Sequence, residues 1–230
     1  EASLRRLQTD YIDLYQIHRP SVDIPIDETL RALDDLVTSG KVRYIGSSTF
    51  PAWKVVESLW ASEELGLNRF ICEQPPYNLL DRRVEREIIP MAQTYGIGII
   101  PWSPIAGGLL TGKYQKDQMP EQGRYKDMTG KPWLQSTFTA GALDAVEQLI
   151  PLADAKGCSL TRFALAWVMN RPAVTSPIMG PRTMQQLEDN LGVLNIAFTE
   201  EELAQIDEII PPGRMVSPFY RDEGFGPHLY

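Results

Sequence analysis

Apolar and polar positions alternate along this chain with two different periods, and the change of period predicts a repeat of strands and helices. The strand-like runs are short and rich in β-branched and aromatic side chains; they are residues 11–18, 42–48, 69–75, 97–103 and 175–180. The helical stretches carry apolar residues at helical spacing; they are residues 25–41, 51–66, 81–96, 141–157, 160–170, 183–194 and 199–210. Pro90 is expected to kink or divide the third helix.

Five strands separated by helices favour a parallel sheet with right-handed crossovers. Two architectures fit this order: an open doubly wound sheet, or part of an eight-stranded barrel. Residues 106–136 are polar and predict a long loop, which is a type of segment that is usually functional or mobile. Residues 211–230 are rich in proline and glycine and predict an irregular tail.

The composition is that of an ordinary globular protein, with 43% hydrophobic and 23% charged residues. A net charge of −8 without a basic run argues against nucleic-acid binding. No run reaches the roughly 18 apolar residues of a membrane span, and the first residues lack a signal-peptide profile. The cysteines, Cys72 and Cys158, and the two histidines are too few for a disulfide framework or a metal cluster. We therefore expect reduced thiols in a cytoplasmic protein.

In both architectures, chemistry gathers at the carboxyl ends of the strands. The only carboxylate at such an end is Glu73, whereas a glycosidase needs two. The G-x-S-x-G turn of a serine hydrolase is absent, because Gly46-Ser47-Ser48 lacks the closing glycine. Both classes of hydrolase are therefore disfavoured.

Residues 107–113 (GGLLTGK) match the first seven positions of a P-loop. Position 114 is Tyr, whereas the motif needs Ser or Thr to hold Mg²⁺, and Pro120 argues against a following helix. We therefore exclude an NTPase. The glycine amides and Lys113 could still meet a pyrophosphate, and a surface loop with a glycine turn is an equally good interpretation.

Other strand-end residues are each open to two interpretations. Arg182, followed by a helix, suits a phosphate monoester or forms part of a solvated helix face. Trp102 suits stacking on a flat ring or fills the core. Ser48 and Gln74 suit an amide ligand or satisfy backbone groups. His18 suits a proton donor or carbonyl orienter, or is a core histidine with its hydrogen bonds satisfied.

Five collinear motifs that span nearly the whole chain resemble the aldo-keto reductase family, specifically the branch of bacterial reductases and potassium-channel β subunits. They are residues 10–20 (DYIDLYQIHRP), 42–50 (VRYIGSSTF), 74–78 (QPPYN), 101–114 (PWSPIAGGLLTGKY) and 180–190 (GPRTMQQLEDN). The resemblance implies an α/β fold, the (β/α)8 TIM barrel. It also implies an NADPH-dependent oxidoreductase that reduces an aldehyde or ketone to an alcohol. A small-molecule carbonyl compound is the implied partner, and its identity and the oligomeric state stay open.

The resemblance also implies roles for single residues. His18 would be the catalytic histidine that orients the substrate carbonyl. Ser48, Thr49 and Gln74 would bind the nicotinamide carboxamide, although the family usually has Asn at the position of Thr49. Trp102 would stack on the nicotinamide ring. The phosphates and the adenosine end would be held by Ser103, Pro104, Ile105, Ala106, Gly107, Lys113, Arg124, Gly180, Arg182, Gln186, Asp189 and Asn190.

Two further expectations come from the same resemblance. Arg182 favours NADP(H) over NAD(H), because the additional phosphate needs a cation. Residues 1–230 would form a single incomplete barrel domain, with strands 4–8 and the C-terminal helices but without the first three βα units. The family's Asp, Tyr and Lys come from those units, so no residue here receives their roles.

We expect the working protein to contain the residues that carry the Asp, Tyr and Lys. A truncated homologue, a catalytically inactive NADP(H)-binding module and an unrelated five-stranded α/β protein are the alternatives. Tyr77, Trp133, Phe219 and Tyr220 are candidate walls of the substrate pocket.

Overall fold

The protein is described by a computed structural model over residues 1–114, 116, 123–126 and 131–218, without the side chains of residues 132–134. The described residues divide into two compact units. Of the described residues, the first unit contains residues 1–75 and 87–100, and the second contains residues 76–86 and those between 101 and 218.

The first unit is built on a parallel sheet with the strand order β1-β2-β3-β4. Its strands are β1 (Ile12–Ile17), β2 (Val42–Ser47), β3 (Phe70–Glu73) and β4 (Gly98–Ile99). Its helices are α1 (Ala2–Leu7), α2 (Ile26–Thr38), α3 (Ala52–Leu65) and α4 (Ile88–Tyr95). In the register, Ile17 of β1 lies opposite Ser47, and Ser47 lies opposite Glu73, so the carboxyl ends of the first three strands coincide. The predicted α/β order with parallel pairing is confirmed.

The second unit is mainly helical. Its α-helices are α5 (Pro132–Thr137), α6 (Ala140–Ala155), α7 (Leu160–Met169), α8 (Met184–Leu191) and α9 (Glu200–Ile209). Short 3₁₀ helices cover Arg83–Glu85, Ala106–Thr111 and Gly192–Asn195. Leu149, Phe163 and Trp167 are at most 1% exposed and belong to its core. The predicted capping box at the start of α9 is present, because the Thr199 hydroxyl accepts from the Glu202 amide and the Glu202 carboxylate accepts from the Thr199 amide.

Several predicted elements differ from the structure, among them the strand over 97–103, of which only Gly98–Ile99 forms. Residues 175–180 form no strand, because Pro177 at the centre of the run lacks the N–H that a strand ladder needs. The Ile178 amide donates instead to the carbonyl oxygen of Pro101 over 2.9 Å. The predicted helix over 81–96 is divided, but before Pro90, which lies in the first turn of α4 where a missing N–H breaks no intrahelical bond.

The segment predicted as a long loop, residues 106–136, has helical structure at both described ends. The 3₁₀ helix Ala106–Thr111 opens it, and α5 closes it. Gly107 and Gly108 have φ angles of 63° and 107° within this 3₁₀ helix, so the backbone turns sharply there. The spacing of apolar residues in the sequence therefore does not indicate a helix at this position. Residues 115, 117–122 and 127–130 lie outside the described residues.

Gly46 in β2 is a position where the sheet leaves no room for a side chain. A Cβ there would lie 2.5 Å from the Cys72 sulfur and 3.2 Å from the Cys72 carbonyl oxygen. We therefore expect Gly46→Ala to lower the free energy of unfolding by about 1–3 kcal/mol through overpacking. Urea unfolding of the wild type and of Gly46→Ala measures this change. Gly66→Ala is a poor control, because Gly66 has a positive φ and alanine would strain the backbone there. Gly180→Ala is a better one, since its Cβ would meet open space, and an equal loss in both variants would contradict the steric explanation.

The helices of the described residues are all too short or too polar to traverse a lipid bilayer. Over the same residues, His, Cys, Asp and Glu side chains are nowhere grouped in threes that could hold a metal ion.

Candidate functional site

The carboxyl ends of β1, β2 and β3 carry a group of polar residues, which we call the strand-end cluster. Its members are Gln16, Arg19, Ser47, Ser48, Thr49, Glu73 and Gln74. The cluster exists because parallel strands end at one edge of a sheet, so residues distant in sequence become neighbours there.

Backbone and side-chain hydrogen bonds join β2 to β3 in this cluster. The Gln74 amide donates to the Ser47 carbonyl over 2.9 Å, and the Thr49 amide donates to the Gln74 carbonyl over 3.3 Å. The Ser48 hydroxyl also donates to the Gln74 carbonyl, over 2.9 Å. The Gln74 side-chain amide donates to Oε1 of Gln16 on β1, over 3.2 Å. The structure therefore brings Ser48, Thr49 and Gln74 together, as predicted for residues that share one ligand group.

Arg19 connects the loop after β1 to the loop after β2. Its Nη1 donates to the Thr49 hydroxyl and to the His18 carbonyl, each over 2.8 Å. Thr49 has a φ of 60°, which is an uncommon backbone conformation for a β-branched residue. The His18 side chain is exposed, whereas Ser48 and Thr49 are buried and Gln74 is half-buried. His18 is therefore open to solvent.

Glu73 is fully buried within the cluster. The Ser47 hydroxyl donates to its Oε2 over 2.5 Å, and the Phe50 amide donates to its Oε1 over 3.1 Å. Removal from water raises the pKa of Glu73 to about 7, although these hydrogen bonds and the nearby Arg19 favour the ionised form. Removal from water also raises the pKa of its neighbour Cys72 to about 12, so that this thiol stays protonated.

The second unit contains a cavity of about 1000 Å³, which we call the cationic cavity. Among the residues predicted to bind the phosphates and the adenosine end, those that line it are Ser103, Pro104, Ile105, Gly107, Lys113, Arg124, Gly180, Arg182, Gln186, Asp189 and Asn190. The structure thus brings together two motifs, 101–114 and 180–190, that stand far apart in the sequence.

Charged side chains line the cationic cavity. Among the described lining residues, Lys113, Arg124, Lys131 and Arg182 carry positive charge and Asp189 carries negative charge. The Asp189 carboxylate is itself paired with the Arg162 guanidinium, whose Nε lies 2.8 Å from Oδ1. Lys113 and the exposed Arg182 make this cavity a favourable place for an anionic ligand.

The backbone next to this cavity turns through several left-handed residues. Ser103, Ala106, Gly107 and Gly108 all have φ angles between 52° and 107°. Left-handed conformations cost about 1–3 kcal/mol at residues other than glycine and concentrate at functional sites. Turns of this kind also expose backbone N–H groups toward anions.

Helix α8 begins at the cationic cavity. The Thr183 hydroxyl caps it by accepting from the Gln186 amide over 3.2 Å. The Gln186 side chain in turn accepts from the Arg182 amide over 2.7 Å, which holds the residue before the cap in place. Gln186 and Asp189 therefore have partners within the protein, while the Arg182 side chain is exposed.

Some predicted site residues lie elsewhere. Ala106 is fully buried and does not line the cavity, because its backbone forms the turn beneath the lining residues. Trp102 is half-buried, does not line the cavity, and its carbonyl accepts from the Tyr77 amide. Tyr77 is only 1% exposed and its ring contacts Trp167, so it is a core residue and not a pocket wall. The Trp133 side chain, Phe219 and Tyr220 lie outside the described residues.

Sequence reasoning assigned no site role to several residues of these two groups, among them Gln16, Arg19, Glu73 and Lys131. Gln16 and Arg19 were present in a matching motif without an assigned role, and Glu73 was considered only as a lone carboxylate. The alternation of β1, which places Gln16 on one face of the sheet, could have pointed to that residue. No sequence signal could have identified Lys131, because it follows a stretch without a motif.

One family profile and several known proteins match most of this chain. A sequence profile described as "Aldo/keto reductase family" matches residues 1–211. An uncharacterized oxidoreductase of Bacillus subtilis, YrpG, is 39% identical over 93% of this chain and 63% of its own length. A "probable voltage-gated potassium channel subunit beta" of Arabidopsis thaliana is 36% identical over 91% of this chain and 65% of its own. Norsolorinic acid reductase B of Dothistroma septosporum is 37% identical over 91% of this chain and 52% of its own length. The chain thus spans less than two thirds of the length of these relatives.

Proposed function

The chain belongs to the aldo/keto reductase family, and from this premise we propose that it binds NADPH and serves the reduction of an aldehyde or ketone to an alcohol. The observation that carries the proposal is the cationic cavity, which Lys113 and Arg182 line. A phosphorylated dinucleotide is an anion of matching character, since its pyrophosphate and its additional phosphate are both negatively charged.

The described residues fit such a dinucleotide. Lys113, Arg124 and Arg182 line a cavity of about 1000 Å³ and supply the cations that phosphates need. Gly107 and Gly108, which form the left-handed turn, also line this cavity. Ser48, Thr49 and Gln74 offer neutral donors and acceptors, which match a carboxamide and not a charged group.

A bound NADPH would supply the hydride that adds to the carbonyl carbon. In the proposed arrangement, this chain contributes binding and orientation. Lys113, Arg124 and Arg182 would bind the phosphates. Ser48, Thr49 and Gln74 would bind the carboxamide, and Trp102 would stack on the nicotinamide ring. His18 orients the carbonyl oxygen of the substrate.

The finer fold proposal is that β1–β4 are consecutive strands of a (β/α)8 barrel. We assign the roles of the family's Asp, Tyr and Lys to none of the residues 1–230. We also propose a cytoplasmic location, on the basis of the thiols of Cys72 and Cys158, which are both free cysteines.

A second candidate function is the binding of NADP(H) by a module that catalyses no reaction. The relative of Arabidopsis thaliana, whose name describes a channel subunit, supports this alternative. Incubating the whole protein with NADPH and a panel of small aldehydes and ketones discriminates between the two. Loss of NADPH absorbance in the presence of a carbonyl compound supports the reductase, whereas binding without any loss supports the module. Absence of dinucleotide binding would contradict both functions.

Arg182 tests the preference for the phosphorylated dinucleotide. We expect Arg182→Ala to weaken NADPH binding about tenfold or more and to leave NADH binding nearly unchanged, because a hydrogen bond to a charged group contributes about 1.5–3 kcal/mol. Fluorescence titration with each dinucleotide measures both affinities. Arg43→Ala is the matched control, since Arg43 is an exposed arginine of β2 outside the cavity. An equal loss for NADPH and NADH would show that Arg182 does not contact the additional phosphate.

A further inference from the structure

The Glu73 carboxyl has no part in the function proposed above, yet it is completely buried at the carboxyl end of β3. The Ser47 hydroxyl and the Phe50 amide, which both donate to it, belong to one short segment, residues 47–50. A buried carboxyl is costly unless it is well bonded, so such a group needs an explanation. Here its contacts converge on the segment that carries Ser48 and Thr49.

Residues 47–50 depend on these contacts for their conformation. The segment leaves β2 through Thr49, whose φ of 60° is unfavourable for a β-branched residue and persists only where the surroundings enforce it. The Glu73 carboxyl holds the segment on both sides of Thr49, at Ser47 and at Phe50. The Thr49 amide and hydroxyl are held by the Gln74 carbonyl and by Arg19.

We infer that Glu73 is a positioning residue, whose carboxyl keeps residues 47–50 in the conformation in which Ser48 and Thr49 bind the dinucleotide. The inference rests on the proposed function, because it assumes that Ser48 and Thr49 contact the carboxamide. It assigns Glu73 no contact with the dinucleotide or the substrate.

The protonation state of Glu73 determines how firmly the segment is held. An ionised carboxyl accepts from both Ser47 and Phe50 and forms the stronger, charge-assisted bonds. A protonated carboxyl is neutral and carries a proton on one of its oxygens. Its hydrogen bond with the Ser47 hydroxyl is therefore no longer charge-assisted. Among the described residues, the charged and titratable groups that act on Glu73 are Arg19, from the loop after β1, and Cys72, its neighbour in β3.

Dinucleotide affinity should therefore depend on pH near neutrality. Burial raises the pKa of Glu73 to about 7, so the carboxyl changes its charge state there. We expect NADPH to bind the wild-type protein roughly fivefold more weakly below this pH than above it, which is the difference between a neutral and a charge-assisted hydrogen bond.

The test is a series of NADPH titrations of the whole protein at pH values from roughly one unit below to one unit above 7, the range in which a group of that pKa titrates. Glu73→Gln retains the shape of the side chain and mimics the protonated carboxyl. We expect this variant to bind NADPH roughly fivefold more weakly than wild type at the upper pH. Its affinity should also lack the part of the pH dependence that comes from titration of Glu73. The phosphate of NADPH also titrates near pH 6, and the Glu73→Gln profile contains this contribution alone.

Two further variants separate positioning from a general loss of structure. Ser47→Ala removes the hydroxyl that donates to Glu73, so we expect the midpoint of the affinity profile to move to higher pH. A merely structural defect would weaken binding without moving the midpoint. Asp34→Asn is the matched control, because its carboxylate is exposed and bonds Asn68 away from the strand-end cluster. We expect its profile to coincide with that of the wild type.

The outcomes are distinguishable. If the wild-type protein binds NADPH and Glu73→Gln shows the same affinity and the same pH profile, the positioning role is overturned while the proposed function stands. If the wild-type protein binds no dinucleotide at any pH, the proposed function fails and the inference fails with it.

Discussion

Replacing Arg82 by alanine is expected to lower the free energy of unfolding by about 3–5 kcal/mol, the usual cost of breaking a buried ion pair by removing one partner. The Arg82 side chain is only 2% exposed. Its Nε donates to Glu85 over 2.8 Å, and its Nη1 donates to Asp207 over 2.7 Å. The same Nη1 donates to the carbonyl oxygen of Ile210, and the guanidinium lies over the ring of Trp167. Alanine would remove all four interactions at once.

Urea unfolding of Arg82→Ala and the wild-type protein measures this loss. Arg43→Ala is the control: Arg43 forms an ion pair of the same length with Asp13, but the two side chains are 55% and 71% exposed. An exposed pair contributes less than about 1 kcal/mol, because solvent screens it. Equal losses in the two variants would contradict the importance of burial for the Arg82 network.

The Arg82 network explains why part of the predicted irregular tail is ordered. Glu85, next to Arg82 in the network, accepts from the Gly213 amide over 3.1 Å, and Arg86 donates to the Gly213 carbonyl over 2.6 Å. The Val216 amide donates to the Leu80 carbonyl over 2.9 Å. The tail thus has no regular element up to residue 218, but its backbone is held by side-chain and backbone groups of residues 76–86.

These contacts mark the limit of prediction from the sequence. The period of apolar residues is a local signal, and it predicted β1–β3 and helices such as α2 and α3 to within a few residues. The hydrogen bond from Arg82 to Asp207 spans 125 residues, and neither residue carries a local signal of its partner. The failed strand at 175–180 has a local explanation, since Pro177 outweighs the apolar character of its neighbours.

The candidate site was likewise predictable only in part. Motifs indicated that Ser48, Thr49 and Gln74 are neighbours, because all three follow the ends of adjacent parallel strands. The motif that contains Lys113 and the motif that contains Arg182 were each visible in the sequence. Their meeting in one cavity depends on how the helices of the second unit pack, which no motif encodes.

Glu73 gives the second large expected effect, which concerns stability and not binding. Its pKa of about 7 in the folded protein lies above its ordinary value of 4.5. Between these two pH values the folded protein holds a proton at Glu73 that the unfolded chain has already released. The free energy of unfolding therefore falls as pH rises through this window, by about 3 kcal/mol in total, and Glu73 causes no further change above pH 7.

Urea unfolding at several pH values between about 4.5 and 8, for the wild type and Glu73→Gln, isolates this contribution. The variant cannot titrate at position 73, so its curve contains only the other groups. Several of these, among them Glu202 and Asp34, have pKa values below their ordinary range, and such groups lose their stabilising effect at lower pH, outside this window. Subtracting the two curves should leave a decline of about 3 kcal/mol that ends near pH 7. Parallel curves would mean that the buried carboxyl is already ionised at the acidic end, with Ser47, Phe50 and Arg19 outweighing the cost of its removal from water.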